Sequence, residues 1–217
     1  MGNTGDFEAL REGCRQLGVQ VDDAALEAML RFRDELLKWN QKFNLTSITD
    51  PKEVLEKHLL DSLAPLPELG DARTVLDIGA GGGFPGIPLK LARPSLEVTC
   101  VDTVGKKVVF MKNAIARLGI GHGARGIQAR AEGDPEREGL PRVELAVSRA
   151  FMDVARWVPL AAKYVVDGGR VLAMVGQMPE ATAVEEATAT SGLRLLSSRT
   201  YALPWSGAGR AVLVFGS

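Results

Sequence analysis

The sequence predicts an α/β protein built on a doubly wound, mostly parallel seven-stranded sheet, with an antiparallel C-terminal hairpin and an N-terminal helical extension. Three observations predict it. Short apolar runs alternate with helical patterns between residues 74 and 175, at the spacing of a parallel sheet covered on both faces. The alternation breaks after residue 190, where two extended runs flank a loop containing Pro, Gly and Ser, the pattern of a hairpin at a sheet edge. Before Ala64 the pattern is helical only.

In chain order, Met29, Phe32, Leu36, Trp39 and Phe43 recur at steps of three and four, the stripe of an amphipathic helix that Asp22 or Asp23 can cap. Asp50-Pro51 reads as an N-cap followed by Pro at the first helical position. The helix it opens carries Val54, Leu55, His58, Leu59 and Leu63, and Pro65 and Pro67 end it. Strands are expected at 74–78, 96–101, 126–129, 143–148 and 170–175, with helices at 86–92, 106–118, 153–164 and 179–190. The hairpin strands are 193–202 and 210–215.

The chain has 217 residues, 46% of them apolar, enough for one good core. It holds no apolar run long enough to span a bilayer. Residues 1–15 are polar and charged, unlike a secretory leader. Cys14 and Cys100 lie far apart and read as unpaired thiols of a reducing compartment, so a cytoplasmic location is expected. The net charge is −1, yet residues 101–170 hold 12 Lys and Arg against 8 Asp and Glu. That basic stretch fits a nucleic-acid face or ordinary surface, and charge alone leaves both open.

The most informative segment is Asp77-Ile78-Gly79-Ala80-Gly81-Gly82-Gly83-Phe84-Pro85-Gly86. A strand runs into glycines and then into a helix, the ligand crevice of an open α/β sheet. Glycines let the backbone take positive φ and let a ligand approach closely. Residues 81–86 also satisfy G-x-G-x-x-G, so a nicotinamide-dependent oxidoreductase is one reading. Two features count against it. Asp77 stands two residues before the first glycine, where a carboxylate suits a cationic sulfonium and its ammonium group better than a pyrophosphate. Pro85 and Pro88 remove N–H donors from the helix start, where a phosphate would want them. The ligand expected is therefore S-adenosylmethionine, with Asp77, Gly79, Gly81, Gly83 and Phe84 around it. A parallel sheet closed by a hairpin also resembles the common Rossmann-like fold of methyltransferases that use that cofactor.

Supporting positions follow in order. Asp102 ends the second strand, where an acid accepts hydrogen bonds from both ribose hydroxyls or caps the next helix. Ala131-Glu132 follows the third strand and suits the adenine, the carboxylate accepting from the amino group; alone, Glu132 would be solvated loop. Phe84 either lies against the cofactor or packs in the core. The fourth strand ends in Ser148-Arg149-Ala150-Phe151, where neither an Asn/Asp-Pro-Pro-aromatic motif nor a Pro-Cys nucleophile is present. Arg149 instead places a fixed cation there, able to hold a phosphate, a carboxylate or a guanine O6/N7 edge, or to form an ordinary ion pair. No metal-ligand set stands out.

The strings Trp39-Asn40-Gln41-Lys42-Phe43-Asn44-Leu45-Thr46, His58-Leu59-Leu60-Asp61-Ser62-Leu63, Gly83-Phe84-Pro85-Gly86-Ile87-Pro88, Arg130-Ala131-Glu132, Ser148-Arg149-Ala150-Phe151 and Gly176-Gln177 resemble the glucose-inhibited division protein B family. The resemblance runs from about residue 25 to the C-terminus. It implies a small-subunit ribosomal RNA methyltransferase acting on guanine N7, with Gly79, Phe84, Asp102, Ala131, Glu132 and Arg149 at the cofactor and active site. It also implies 16S ribosomal RNA or the small-subunit particle as partner. The residue pattern divides the chain into a helical cap over residues 1–70 and a methyltransferase domain over 71–217, and a monomer is favoured. One position departs: the family usually has Lys before the Gly-Gln pair, and this chain has Val175. Arg170 is no obvious substitute for it. A cofactor-binding protein without catalysis is the reading that this departure suggests.

His58, Asp61 and Ser62 share one helical face at i, i+3 and i+4 and do not make a hydrolytic triad. By the resemblance this face shapes the cofactor cleft; otherwise it is a polar seam between cap and sheet. Guanine N7 has a free lone pair, so no general base is expected. Arg149 would position the substrate, and Lys106, Lys107, Lys112 and Arg117 are candidate RNA contacts.

Overall fold

A computed structural model describes residues 4–217, so residues 1–3 of the expected cap lie outside the described residues. Seven strands form one sheet: β1 (Thr74–Ile78), β2 (Glu97–Asp102), β3 (Ala124–Gln128), β4 (Val143–Arg149), β5 (Val165–Val175), β6 (Arg194–Ala202) and β7 (Gly209–Gly216). Their order is β3-β2-β1-β4-β5-β7-β6. The first five run parallel, and β7 is antiparallel to both β5 and β6. The chain order reverses between β1 and β4, which places a crevice at the carboxyl ends of these strands.

Successive strand residues point to opposite faces, and both faces are apolar. Val75, Leu145, Val147, Leu172, Met174, Val212 and Val214 belong to one core. Their neighbours Leu76, Ala146, Val171, Ala173, Leu213 and Phe215 belong to the other. The first core also takes residues of α1 (Thr4–Gln16), α2 (Asp23–Phe43), α5 (Gly86–Ala92) and α6 (Gly105–Arg117). So the N-terminal helices and the sheet share apolar packing. The second core lies beneath α8 (Val154–Ala162) and α9 (Ala181–Ser191), with Trp157 and Tyr164 fully buried in it.

The helix-start residues act as their chemistry requires. Asp22 Oδ1 accepts from the Ala25 N–H at 2.7 Å and caps α2. Asp50 Oδ1 accepts from Lys52 and Glu53 and caps α3 (Pro51–Val54). The expected single helix after it departs from α geometry: Leu55–Leu60 is π-helical before a last turn, α4 (Asp61–Leu63). Two further differences concern backbone detail. β5 starts at Val165 rather than residue 170, because the β4–β5 register jumps between Val143 and Leu145 and absorbs Gly168 at φ 74° as a bulge. A short α7 (Pro135–Glu138) occupies what reads as loop, capped by Asp134 with Pro at its first position, the same device as Asp50-Pro51.

Candidate active site

The site grows from the end of β1. Asp77 shares a face with Val75, so its side chain points under α5. There its Oδ2 accepts the Gly86 N–H at 2.7 Å, and the residue is fully buried. Among the described residues its Oδ1 has no hydrogen-bond partner. Burial pushes this carboxyl up to about 7, against the pull of the Gly86 N–H and of Arg149. The helix N–H that a pyrophosphate would need is thus already taken, which disfavours the dinucleotide reading.

The turn beyond needs its glycines. Gly79, Gly81 and Gly83 have φ of 76°, 59° and 92°. A Cβ at Gly81 would meet nothing within 4 Å, so this left-handed backbone faces open space. The Gly81 N–H donates to Asp102 Oδ2 at 2.9 Å, and the Val104 N–H donates to Asp102 Oδ1 at 2.8 Å. Asp102 is therefore set in one orientation at the end of β2, with Lys107 Nζ 3.9 Å away.

Around that carboxylate lies a cleft of about 470 Å³. Gly79, Asp102, Ala131 and Glu132 line it, together with Phe151 and Met152. Ala150, the residue after β4, has φ 51°, a left-handed conformation unusual for a residue with a Cβ. It lines both this cleft and a second recess of about 380 Å³, so the two meet there.

Arg149 stands in the wall of the second recess, held from three sides. Its Nη1 donates to the Lys57 carbonyl at 2.7 Å and to Asp61 Oδ2 at 3.1 Å, and its Nη2 lies 3.1 Å from His58 Nδ1. Asp61 Oδ1 accepts from the Tyr201 hydroxyl at 2.8 Å and lies 3.5 Å from Arg210 Nε. Phe84 lies under this network: the His58 ring stacks on it at 4.6 Å, the Arg149 guanidinium sits 5.4 Å from its centroid, and Phe32 packs beside it. Ser62 donates to the His58 carbonyl, not to the imidazole, so no triad forms.

Because Arg149 can only donate, His58 Nδ1 is the acceptor and the ring proton sits on Nε2, donated to Thr46 Oγ1 at 3.0 Å. Burial, aided by the Arg149 charge, holds this imidazole down to about 3 from its ordinary 6.5. The unfolded chain therefore takes up a proton at His58 that the folded chain refuses. The contribution is intact above about pH 6.5 and is lost as pH falls towards 3. The raised Asp77 carboxyl acts with the opposite sign, since the folded protein holds its proton up to about 7. Comparison with a His58→Gln protein isolates the first effect. In urea unfolding, the stability difference between the two is expected to be flat above about pH 7. It should shift by ~1–2 kcal/mol in favour of the variant near pH 5. An unchanged difference across that range would show that His58 is not held neutral.

Thus Gly79, Asp102, Ala131 and Glu132 gather at one cleft, with Arg149 across Ala150 from them. Asp77, Gly83 and Phe84 are buried behind the turn and do not line it. Of the four candidate RNA cations, Lys106 and Lys112 are exposed, whereas Lys107 approaches Asp102 and Arg117 pairs with Glu35 at 2.5 Å. Val175 lines the second recess, and Arg210 brings a cation into it from β7. Arg170 lies in the middle of β5, away from the recess, donating to the Glu68 and Leu69 carbonyls. The sequence reading missed Tyr201 and Arg210, whose only signal was their place at facing ends of the hairpin strands.

Comparison with known proteins places this geometry. A family profile described as GidB, rRNA small subunit methyltransferase G, matches residues 25–203. A Myxococcus xanthus protein named Ribosomal RNA small subunit methyltransferase G is 55% identical over 215 residues, covering 99% of each chain. One of the same name from Anaeromyxobacter dehalogenans is 52% identical over 205 residues, covering 94% of each. Among solved structures, an O-methyltransferase from Bacillus cereus in complex with SAH aligns with a TM-score of 0.59 at 14% identity, covering 86% of this chain and 91% of the other. A geranyl diphosphate methyltransferase in complex with SAM aligns with a TM-score of 0.56 at 15% identity, covering 72% and 83%. At such identities the structural likeness concerns the fold alone.

Proposed function

The chain belongs to the family described as GidB, rRNA small subunit methyltransferase G, and on that premise we propose that its target is N7 of a guanine in 16S ribosomal RNA. Its reaction class is S-adenosylmethionine-dependent methylation of ribosomal RNA. The observation that carries the reading to this chain's own residues is the meeting of two recesses at Ala150, one lined by Gly79 and Asp102, the other by Arg149.

The residues fit the cofactor. Behind the turn the buried Asp77 fixes the backbone by accepting the Gly86 N–H, and the left-handed backbone at Gly81 faces open space where a ligand can approach without a side chain in the way. Asp102, set by two backbone N–H donors, keeps lone pairs for the ribose hydroxyls, and Glu132 is exposed beside Ala131 for the adenine amino group. When bound, S-adenosylmethionine supplies a methyl group on a sulfonium, a strong electrophile. The protein's own part is to hold the acceptor base in line at about 3 Å and to exclude water. No side chain needs to take a proton, because N7 already bears a lone pair. The product base is cationic. Arg149, drawn back onto Asp61, the Lys57 carbonyl and His58, positions the base at the rim through the donors it has left.

The RNA partner is approached by exposed Lys106 and Lys112 of α6. No helix among the described residues is long and apolar enough to cross a membrane. We place the protein in the cytoplasm as a monomer, with residues 1–70 as a cap on the 71–217 methyltransferase domain.

Labelled methyl transfer to ribosomal RNA from a strain lacking this gene tests the reading. Digestion to nucleosides is expected to give 7-methylguanosine. Label on another atom would retain the class and refute N7, and no incorporation into RNA would refute the activity.

A further inference from the structure

We propose that the recess beyond Ala150 receives the extruded target guanine, and that Arg210 is the residue that selects it. This inference rests on the reading of the chain as a ribosomal RNA methyltransferase. The recess has the size of a small-ligand site, about 380 Å³, and borders the cofactor cleft at Ala150, which lines both. A base seated in it reaches the cofactor only past that residue. Chemistry on a base in structured RNA requires that the base leave its stack and enter such a pocket.

The two arginines of the recess are unequal. Arg149 is drawn onto three acceptors and has a side chain only 15% exposed. Arg210 lies across from it, held by the carbonyl of its own neighbour Gly209 at 2.8 Å and by a loose 3.5 Å contact with Asp61. Among the described residues its Nη2 has no acceptor. Asp61 keeps Tyr201 and Arg149 as partners when Arg210 moves away. Arg210 is therefore the less constrained of the two cations, with its Nη2 donors available to an incoming base. Guanine offers O6 to such a donor, where adenine offers an amino group that repels it. Val175, partly exposed on β5, supplies the apolar wall against which a flat base can lie.

Three variants test this with three readouts: methyl incorporation, S-adenosylmethionine affinity by calorimetry and ribosomal RNA affinity by filter binding. Val175→Trp, which fills the recess, is expected to lower incorporation at least ~100-fold, with cofactor and RNA affinities changed less than about threefold. Arg210→Ala is expected to lower kcat/KM for RNA on the order of 10–100-fold with cofactor affinity unchanged, and Arg210→Lys to restore part of it. Should Val175→Trp disturb the sheet and lose cofactor binding, Arg210→Ala decides. Arg210→Ala methylating RNA within about threefold of the parent overturns the proposal. So does a Val175→Trp protein with full activity. Absence of incorporation by the unaltered protein is a different result, and it removes the underlying functional reading.

Discussion

A Gly79→Ala protein is expected to fold and to bind S-adenosylmethionine at least ~100-fold more weakly than the parent. The glycine sits at φ 76°, where an L side chain costs about 1–2 kcal/mol. Its added Cβ would also lie 2.9 Å from the Phe151 Cγ and closer still to Cδ2. Phe151 is 40% exposed, so its ring can swing away without breaking the core. It can do so only at the cleft that Gly79 and Phe151 line together. The strain thus falls on the binding site more than on the fold. Calorimetric titration gives the affinity, and thermal unfolding gives the accompanying loss of stability, expected at about 1–2 kcal/mol. Cofactor affinity within threefold of the parent would remove Gly79 from the site.

The second large effect is expected at Arg149. Arg149→Ala removes the cation from a buried carboxylate and the donor from a buried imidazole, since Asp61 is 4% exposed and His58 is wedged against Phe84. Breaking one side of such a pair costs about 3–5 kcal/mol when the other is stranded. Tyr201 and Arg210 still serve Asp61, so a loss near ~2–3 kcal/mol is expected here. Methyl transfer to RNA should fall at least ~100-fold, because the wall of the second recess loses its support. Arg149→Lys should recover little, since one ammonium cannot reach the Lys57 carbonyl, Asp61 and His58 together as a planar guanidinium does. Urea unfolding and the labelled-methyl assay report the two effects separately. An Arg149→Ala protein of unchanged stability would contradict the network, and one with full activity would contradict its role in the site.

Much of the architecture could be read from the residue pattern, and so could the glycine turn around which the candidate site gathers. The strands announce themselves by apolar runs that end at polar or glycine positions, and Asp22 and Asp50 cap helices because a short acceptor before a helical stripe satisfies otherwise free N–H groups. The turn after β1 was legible for the same reason: positive φ at Gly79, Gly81 and Gly83 is a demand that the glycines answer locally. Asp134-Pro135 carried an equally good helix-start signal, but its acidic neighbours made it read as solvated loop. The β5 bulge at Gly168 and the π-helical turns at Leu55–Leu60 had no signal of comparable strength. Each depends on what packs against it, as where Glu56 of the π segment accepts the Trp205 and Ser206 N–H groups from the hairpin loop.

By itself, then, the sequence determined the doubly wound sheet, the helix caps and the glycine turn. These follow from periodicity and from backbone conformations that only certain residues tolerate. Only the tertiary structure decided what the charged groups do. Asp77 turns out to lie beneath α5 holding Gly86, because the period of β1 sends it to the same face as Val75. Arg149 is tied to Asp61, 88 positions away, and Asp61 to Tyr201, 140 positions away. A charged side chain in a list of residues looks free. Whether it is free depends on which distant acceptors the fold brings within about 3 Å, and that left Arg210 held more loosely than Arg149.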